Sequence, residues 1–224
     1  MTAIILTTNS GYPRQVSEDF TTNLRKVGYD QEIRFFEVSN DPIPLCTMRL
    51  FDYLAFLRQN PGRYQTVILS DLRDVLFQDN PLKIPHGTLD CFLEWEEMTI
   101  AKCPFNSVWI KLGFGEEEFA LIQNKPISCA GFTIGTQAWI ENYLDMVIEC
   151  VAVRKQLFAG ADQGIHNWLI HTGNLPCNLH VNEDSPVYTV GYVPGIFVRN
   201  HVVYNRKGIA PIVVHQFDRH VTAC

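Results

Sequence analysis

Short apolar, β-branched runs alternate with longer stretches of helical period along the chain, and this alternation restricts the fold more than any other feature. The runs are AIILTT, EIRFFEV, TVILSD, DCFLEW, ISCAGFTIG and PIVVHQF. Between the first two, PRQVSEDFTTNLRKVG carries Val16, Phe20, Leu24 and Val27 at helical spacing, opened by Pro13 and closed by Gly28. That makes a β-α-β unit. TMRLFDYLAFLRQNPG repeats the design, with Met48, Phe51 and Ala55 on one face, Leu54 and Leu57 nearby, and Asn60-Pro61-Gly62 as terminator. A third helical pattern runs from Gln137 to Leu157 through Ile140, Leu144, Val147 and Val151, and FAGADQ then introduces a fourth, DQGIHNWLIH. The expectation is one α/β domain over residues 1–224, with a mostly parallel central sheet flanked by helices. The stretch from Glu94 to Lys125 is the least periodic, and reads as an excursion that roofs a site or as plain surface structure.

Composition narrows the class without naming a chemistry. The 224 residues are 46% hydrophobic and 19% charged, an ordinary globular balance, and the net charge of -6 disfavours nonspecific attraction to nucleic acid. The N-terminal stretch MTAIILTTNSGYPRQ has no basic leader pattern, and no run is long enough for a transmembrane segment. The expectation is a cytoplasmic protein, free or peripheral to a membrane. Seven scattered cysteines, never in a C-x-x-C pair, argue against both a zinc site and a disulfide scaffold. Cys224 reads as incidental.

In an open parallel sheet, ligands bind beyond the carboxyl ends of the strands, and TVILS reads as a strand ending at Asp71. The following turn, Leu72-Arg73, can bring Asp71 and Asp74 to one side, where two carboxylates suit Mg2+ or Mn2+. The plain alternative is a polar turn with Arg73 as its counter-ion. Three further groupings bear on the choice. In ADQGIHNWLIH, Asp162 shares a helix face with His166, and Gln163 with Asn167, unless Asp162 merely caps the helix and the rest face water. HQFDRH gathers His215, Asp218, Arg219 and His220, as a site or as a polar tail after an edge strand. SCAGFTIGT brings Gly131, Gly135 and Thr136 into one apolar run, permitting close approach of a ligand or marking a bulge.

Taken in order, these pieces resemble a GT-A fold (Rossmann-like) nucleotide-sugar glycosyltransferase, closest to the retaining group related to glycogenin and bacterial galactosyltransferases. That group has an acidic strand end, an Asn-Ala-Gly segment, an Asp-Gln helix start and a late histidine. This chain has Asp71/Asp74, Cys129-Ala130-Gly131, Asp162-Gln163 and His215. Its acidic motif, Asp-Leu-Arg-Asp, spaces the carboxylates three apart rather than two, so Arg73 puts metal dependence in question. HQFDRH also lacks the group's common His-x-x-Gly-x-x-Lys form.

The resemblance implies transfer of a sugar from a nucleoside diphosphate, UDP above all, to an acceptor hydroxyl on a glycan, a lipid-linked molecule or a protein. It implies Mn2+ or Mg2+ held by Asp71, Asp74 and His215. Thr7, Thr8, Asn9 and Tyr12 would bound the nucleotide, Arg49 would reach nucleotide or phosphate, and Arg219 would assist at the diphosphate. Asp162 and Gln163 are the catalytic candidates on the sugar-facing side, and Asp162, Asp218 and Glu94 are the carboxylates that an inverting reaction could use as base. Rival readings are a nucleotide-sugar-binding protein whose metal site has decayed at Arg73 and, behind it, a phosphatase of the haloacid dehalogenase type. The phosphatase pattern needs an acid two residues after Asp71, where Arg73 stands.

Overall fold

The computed structural model describes residues 2–37, 43–155 and 157–220, so Cys224 lies outside the described residues. In chain order the strands are β1 (Ala3–Thr8), β2 (Glu32–Phe36), β3 (Thr66–Ser70), β4 (Val75–Phe77), β5 (Leu89–Leu93), β6 (Ser128–Gly135), β7 (Asn178–His180), β8 (Val187–Thr189), β9 (Phe197–Arg199), β10 (Val202–Tyr204) and β11 (Val213–His215). The helices are α1 (Arg14–Lys26), α2 (Leu45–Gln59), α3 (Pro104–Ile122), α4 (Gln137–Arg154) and α5 (Ala161–His171).

A six-stranded sheet in the order β2-β1-β3-β6-β5-β7 forms the spine, and of these strands only β6 runs against the rest. Both faces of this sheet are covered, which is why its inner strands read as continuous apolar runs. Every residue of β1 and β3 is buried. Alternate side chains serve opposite cores: Ile4, Leu6, Val67 and Leu69 pack with residues of α2 to α5, whereas Ile5 and Ile68 pack with Phe20 and Leu24 of α1. The mixed α/β architecture with a mostly parallel sheet agrees with the expectation from sequence. No helix of the described residues is long and apolar enough to cross a membrane.

Three expectations need correction. The buried face of α2 is Leu50, Tyr53, Leu54 and Leu57, while Met48 and Phe51 are half-buried and Ala55 is exposed. The stretch from Glu94 to Lys125 is mostly the helix α3 and not irregular structure, though its Phe105, Asn106 and Trp109 do border a cleft, as the site-roofing alternative expects. The run PIVVHQF yields β11, which lies outside the large sheet and forms the centre, not the edge, of a second sheet, β4-β11-β8. A hairpin of β9 and β10 completes the strand pairing. The six described cysteines are all free thiols.

Candidate metal centre and cleft

The second sheet is what builds the site. After Ser70 the chain turns through Asp71, Leu72, Arg73 and Asp74 and enters β4 at once. Leu72 is buried and anchors the turn in the α1-side core, so the intervening carboxylates are left at its outer edge. The Asp71 amide donates to the Gly131 carbonyl at 2.7 Å, tying the turn to β6. β11 then pairs antiparallel with β4, with His215 opposite Val75, and the Gln216 amide donates to the Asp74 carbonyl at 2.7 Å. That register delivers the late histidine to the acidic turn.

Asp71, Asp74 and His215 each offer one ligand atom, and these atoms lie within 4.8 Å of one another. His215 Nε2 is 3.6 Å from Asp71 Oδ2 and 3.8 Å from Asp74 Oδ2, too far for hydrogen bonds. This nitrogen is buried and has no hydrogen-bond partner. A buried polar atom left unmatched is destabilising unless something else satisfies it. Its ring partner, Nδ1, lies 3.4 Å from the Cys129 thiol. Two carboxylates and an imidazole converging around one such atom fit a divalent cation, with Mn2+ and Mg2+ the natural choices for an oxygen-rich set. Gly131 keeps the space clear: a Cβ there would stand 2.4 Å from His215 Cε1 and 2.5 Å from Asp71 Oδ2.

Electrostatics distinguish the two acids. Burial pushes the Asp71 carboxyl up, but the Arg49 guanidinium and then His215 outweigh it and hold the group well below the usual carboxylate range. Burial raises the Asp74 carboxyl; His215 opposes that, while Asp71 and Asp218 add to it. Arg49, on α2, pairs with Asp71 and lies 3.5 Å from Asp162 Oδ2. Arg73 is not their counter-ion: its exposed side chain pairs with Asp218 at 2.7 Å.

The centre opens on a cleft of about 480 Å³ at the carboxyl ends of β1, β3 and β5. Thr8, Tyr12, Arg49, Asp162, Gln163 and Arg219 all line it, together with Asp71 and Asp74. Thr7 is fully buried at the end of β1, and Asn9 borders a neighbouring depression, with Tyr12 between the two hollows. Asp162 does not cap α5; Gly160 precedes the helix in left-handed geometry (φ 88°), and a Cβ there would stand 2.1 Å from the Trp109 indole. Nor do the other polar residues of α5 face water. Gln163 accepts from the Ala130 amide at 2.8 Å and donates to the Ser128 carbonyl at 2.7 Å, and the buried Asn167 and His166 fasten Ser128 from the same helix. Gln163 therefore fixes the backbone leading into Gly131.

Gln216, Tyr192 and Phe105 also line the cleft, with nothing in the sequence to single them out, and so does Glu94, one of the three carboxylates open to a base's role. Burial pushes the Glu94 carboxyl up, with His215 and Arg219 pulling against it. No protein-family model matches the chain, and no curated protein matches it.

Proposed function

We propose that this chain is a metal-dependent glycosyltransferase of the GT-A kind, retaining by its resemblance, which moves a sugar from a nucleoside-diphosphate sugar to an acceptor hydroxyl. The observation that carries the reading is the unmatched, buried Nε2 of His215 facing Asp71 and Asp74 at a cleft beyond the end of β3. In the transfer, the bond from the anomeric carbon to the diphosphate oxygen breaks and its electron pair stays with the diphosphate. The acceptor oxygen forms the new bond and gives up its proton to the departing diphosphate oxygen. The obstacle is charge separation, and residues that favour the separated state lower it.

Asp71, Asp74 and His215 would hold a divalent cation, which would supply positive charge to the diphosphate oxygens. Arg219 lies in the same cleft with its guanidinium 5.7 Å from the Tyr192 ring centroid, available to the same oxygens. Thr8 and Tyr12 bound the nucleotide on the β1 side. Arg49 keeps Asp71 ionised in surroundings that would otherwise protonate it, and stands 3.5 Å from Asp162. Asp162 meets the sugar from the start of α5, while Gln163 acts as a positioning residue through the Ala130-Gly131 backbone.

The rival, a nucleotide-sugar-binding protein with a decayed centre, required Arg73 to take a ligand's place. Its pairing with Asp218 favours the enzyme. Incubation with UDP-sugars and Mn2+ should release UDP. Asp74→Asn should abolish that release with the fold retained by circular dichroism. Binding of UDP-sugars without turnover for any donor would select the rival.

A further inference from the structure

We propose that the β5 side of the cleft is a carbohydrate-acceptor subsite, in which the Glu94 carboxylate and the Gln216 amide accept hydrogen bonds from two hydroxyls of one sugar ring. The word acceptor rests on the glycosyltransferase reading; saccharide binding rests on the site itself.

Glu94 follows β5 and is 4% exposed, and Gln216 is 6% exposed, yet both border the cleft. Glu94 Oε2 and Gln216 Oε1 are buried without a hydrogen-bond partner. The Gln216 nitrogen is occupied, 3.7 Å from Cys129 Sγ. Two unmatched acceptor oxygens on side chains that border one cleft leave places for donors. A second cation is a poor candidate, because Glu94 belongs to no ligating cluster among the described residues and Arg219 already brings positive charge to this end. Hydroxyl groups remain.

The surrounding walls narrow the choice. Phe105 and Trp109, with ring centroids 5.8 Å apart, and Tyr192 border the same cleft. Aromatic side chains on the same cleft as such acceptors suit a ring that presents C–H bonds on one side and hydroxyls at its edge, as a sugar does. A serine or threonine side chain would satisfy one oxygen and leave the other unmatched. Across the sheet the order is β1, β3, β6, β5. With the nucleotide at β1 and the diphosphate at β3, Glu94 stands on the far side of the reacting centre, where the second substrate belongs.

The test uses methyl glycosides of glucose, galactose and mannose as probes, observed by saturation-transfer NMR with UDP and Mn2+ present. At least one should bind the wild type. Its affinity should fall about 10- to 100-fold in Glu94→Ala and in Gln216→Ala, the loss expected for hydrogen bonds to a buried polar or charged acceptor. Glu94→Gln should melt no lower than the wild type, since it removes a buried carboxylate that has one oxygen without a partner, whereas a structural glutamate would lose stability. In transfer assays the acceptor KM should rise while the donor KM holds. No binding by the wild type, equal binding by the variants, or a rise in the donor KM instead would overturn the acceptor subsite. Glycoside binding in a protein that releases no nucleoside diphosphate from any UDP-sugar would overturn the glycosyltransferase reading and leave the saccharide site standing.

Discussion

A methyl group on residue 131 would fall among the atoms that the centre brings together, so Gly131→Ala must push His215 away from Asp71 or move the β6 backbone. Mn2+ affinity should fall about 10- to 100-fold, the usual cost of disturbing the support of a metal ligand. An electron paramagnetic resonance titration reads this directly, and an unchanged affinity would remove the ion from this position. His166 offers a different test. Burial lowers its pKa from 6.5 to about 3, and it stays neutral between Tyr143 Oη at 3.0 Å and Ser128 Oγ at 2.9 Å. The unfolded chain binds a proton at this residue below 6.5 and the folded one does not until about 3, so stability falls as pH drops through that window. Between pH 7 and pH 5 the loss is about 2 kcal/mol. His166→Gln should lack it in urea titrations, and an equal loss in the variant would refute the assignment. At this scale the acids and the late histidine were legible, because Asp71 and His215 each follow an apolar run and Asp74 closes the short turn after the first. Gln216 and Tyr192 were not, since a single polar or aromatic residue in a short loop carries no period.

Long elements announced themselves and short ones did not. β1, β3 and β6 are buried on both faces and read as strands from composition alone, while β4, β7, β8, β9 and β10, of three residues each, are too short to show alternation. α3 escaped for another reason. Its buried residues Asn106, Ile110 and Phe114 recur at helical spacing, but Phe105, Val108, Leu112 and Leu121 are exposed on the same helix and blur the contrast between faces. The helix also breaks at Gly115, where φ is 90° and ψ is 173°, a conformation nearly confined to glycine. Nothing lies within 4 Å of a Cβ there, so Gly115→Ala tests the backbone alone. It should cost about 1–3 kcal/mol in chemical denaturation. A neutral substitution would mean that α3 straightens without penalty.

For the molecule as a whole, the two sheets are joined where β4 leaves the large sheet's strand end and pairs with β11, more than a hundred residues later in the chain. An ion held at the junction binds the folded state and not the unfolded one. Mn2+ at about 100 times its dissociation constant should therefore raise the unfolding free energy by about 2.7 kcal/mol. The gain should vanish in Asp74→Asn; a gain that persists there would place the ion elsewhere. The order of synthesis follows from the same pairing. Asp71 and Asp74 leave the ribosome long before His215, so a growing chain carries the acids through most of its synthesis without the imidazole that completes the set. At the proposed metal site, a chain lacking β11 would lack His215 and hold the ion more weakly, which would make metal retention a readout of whether β11 has docked beside β4.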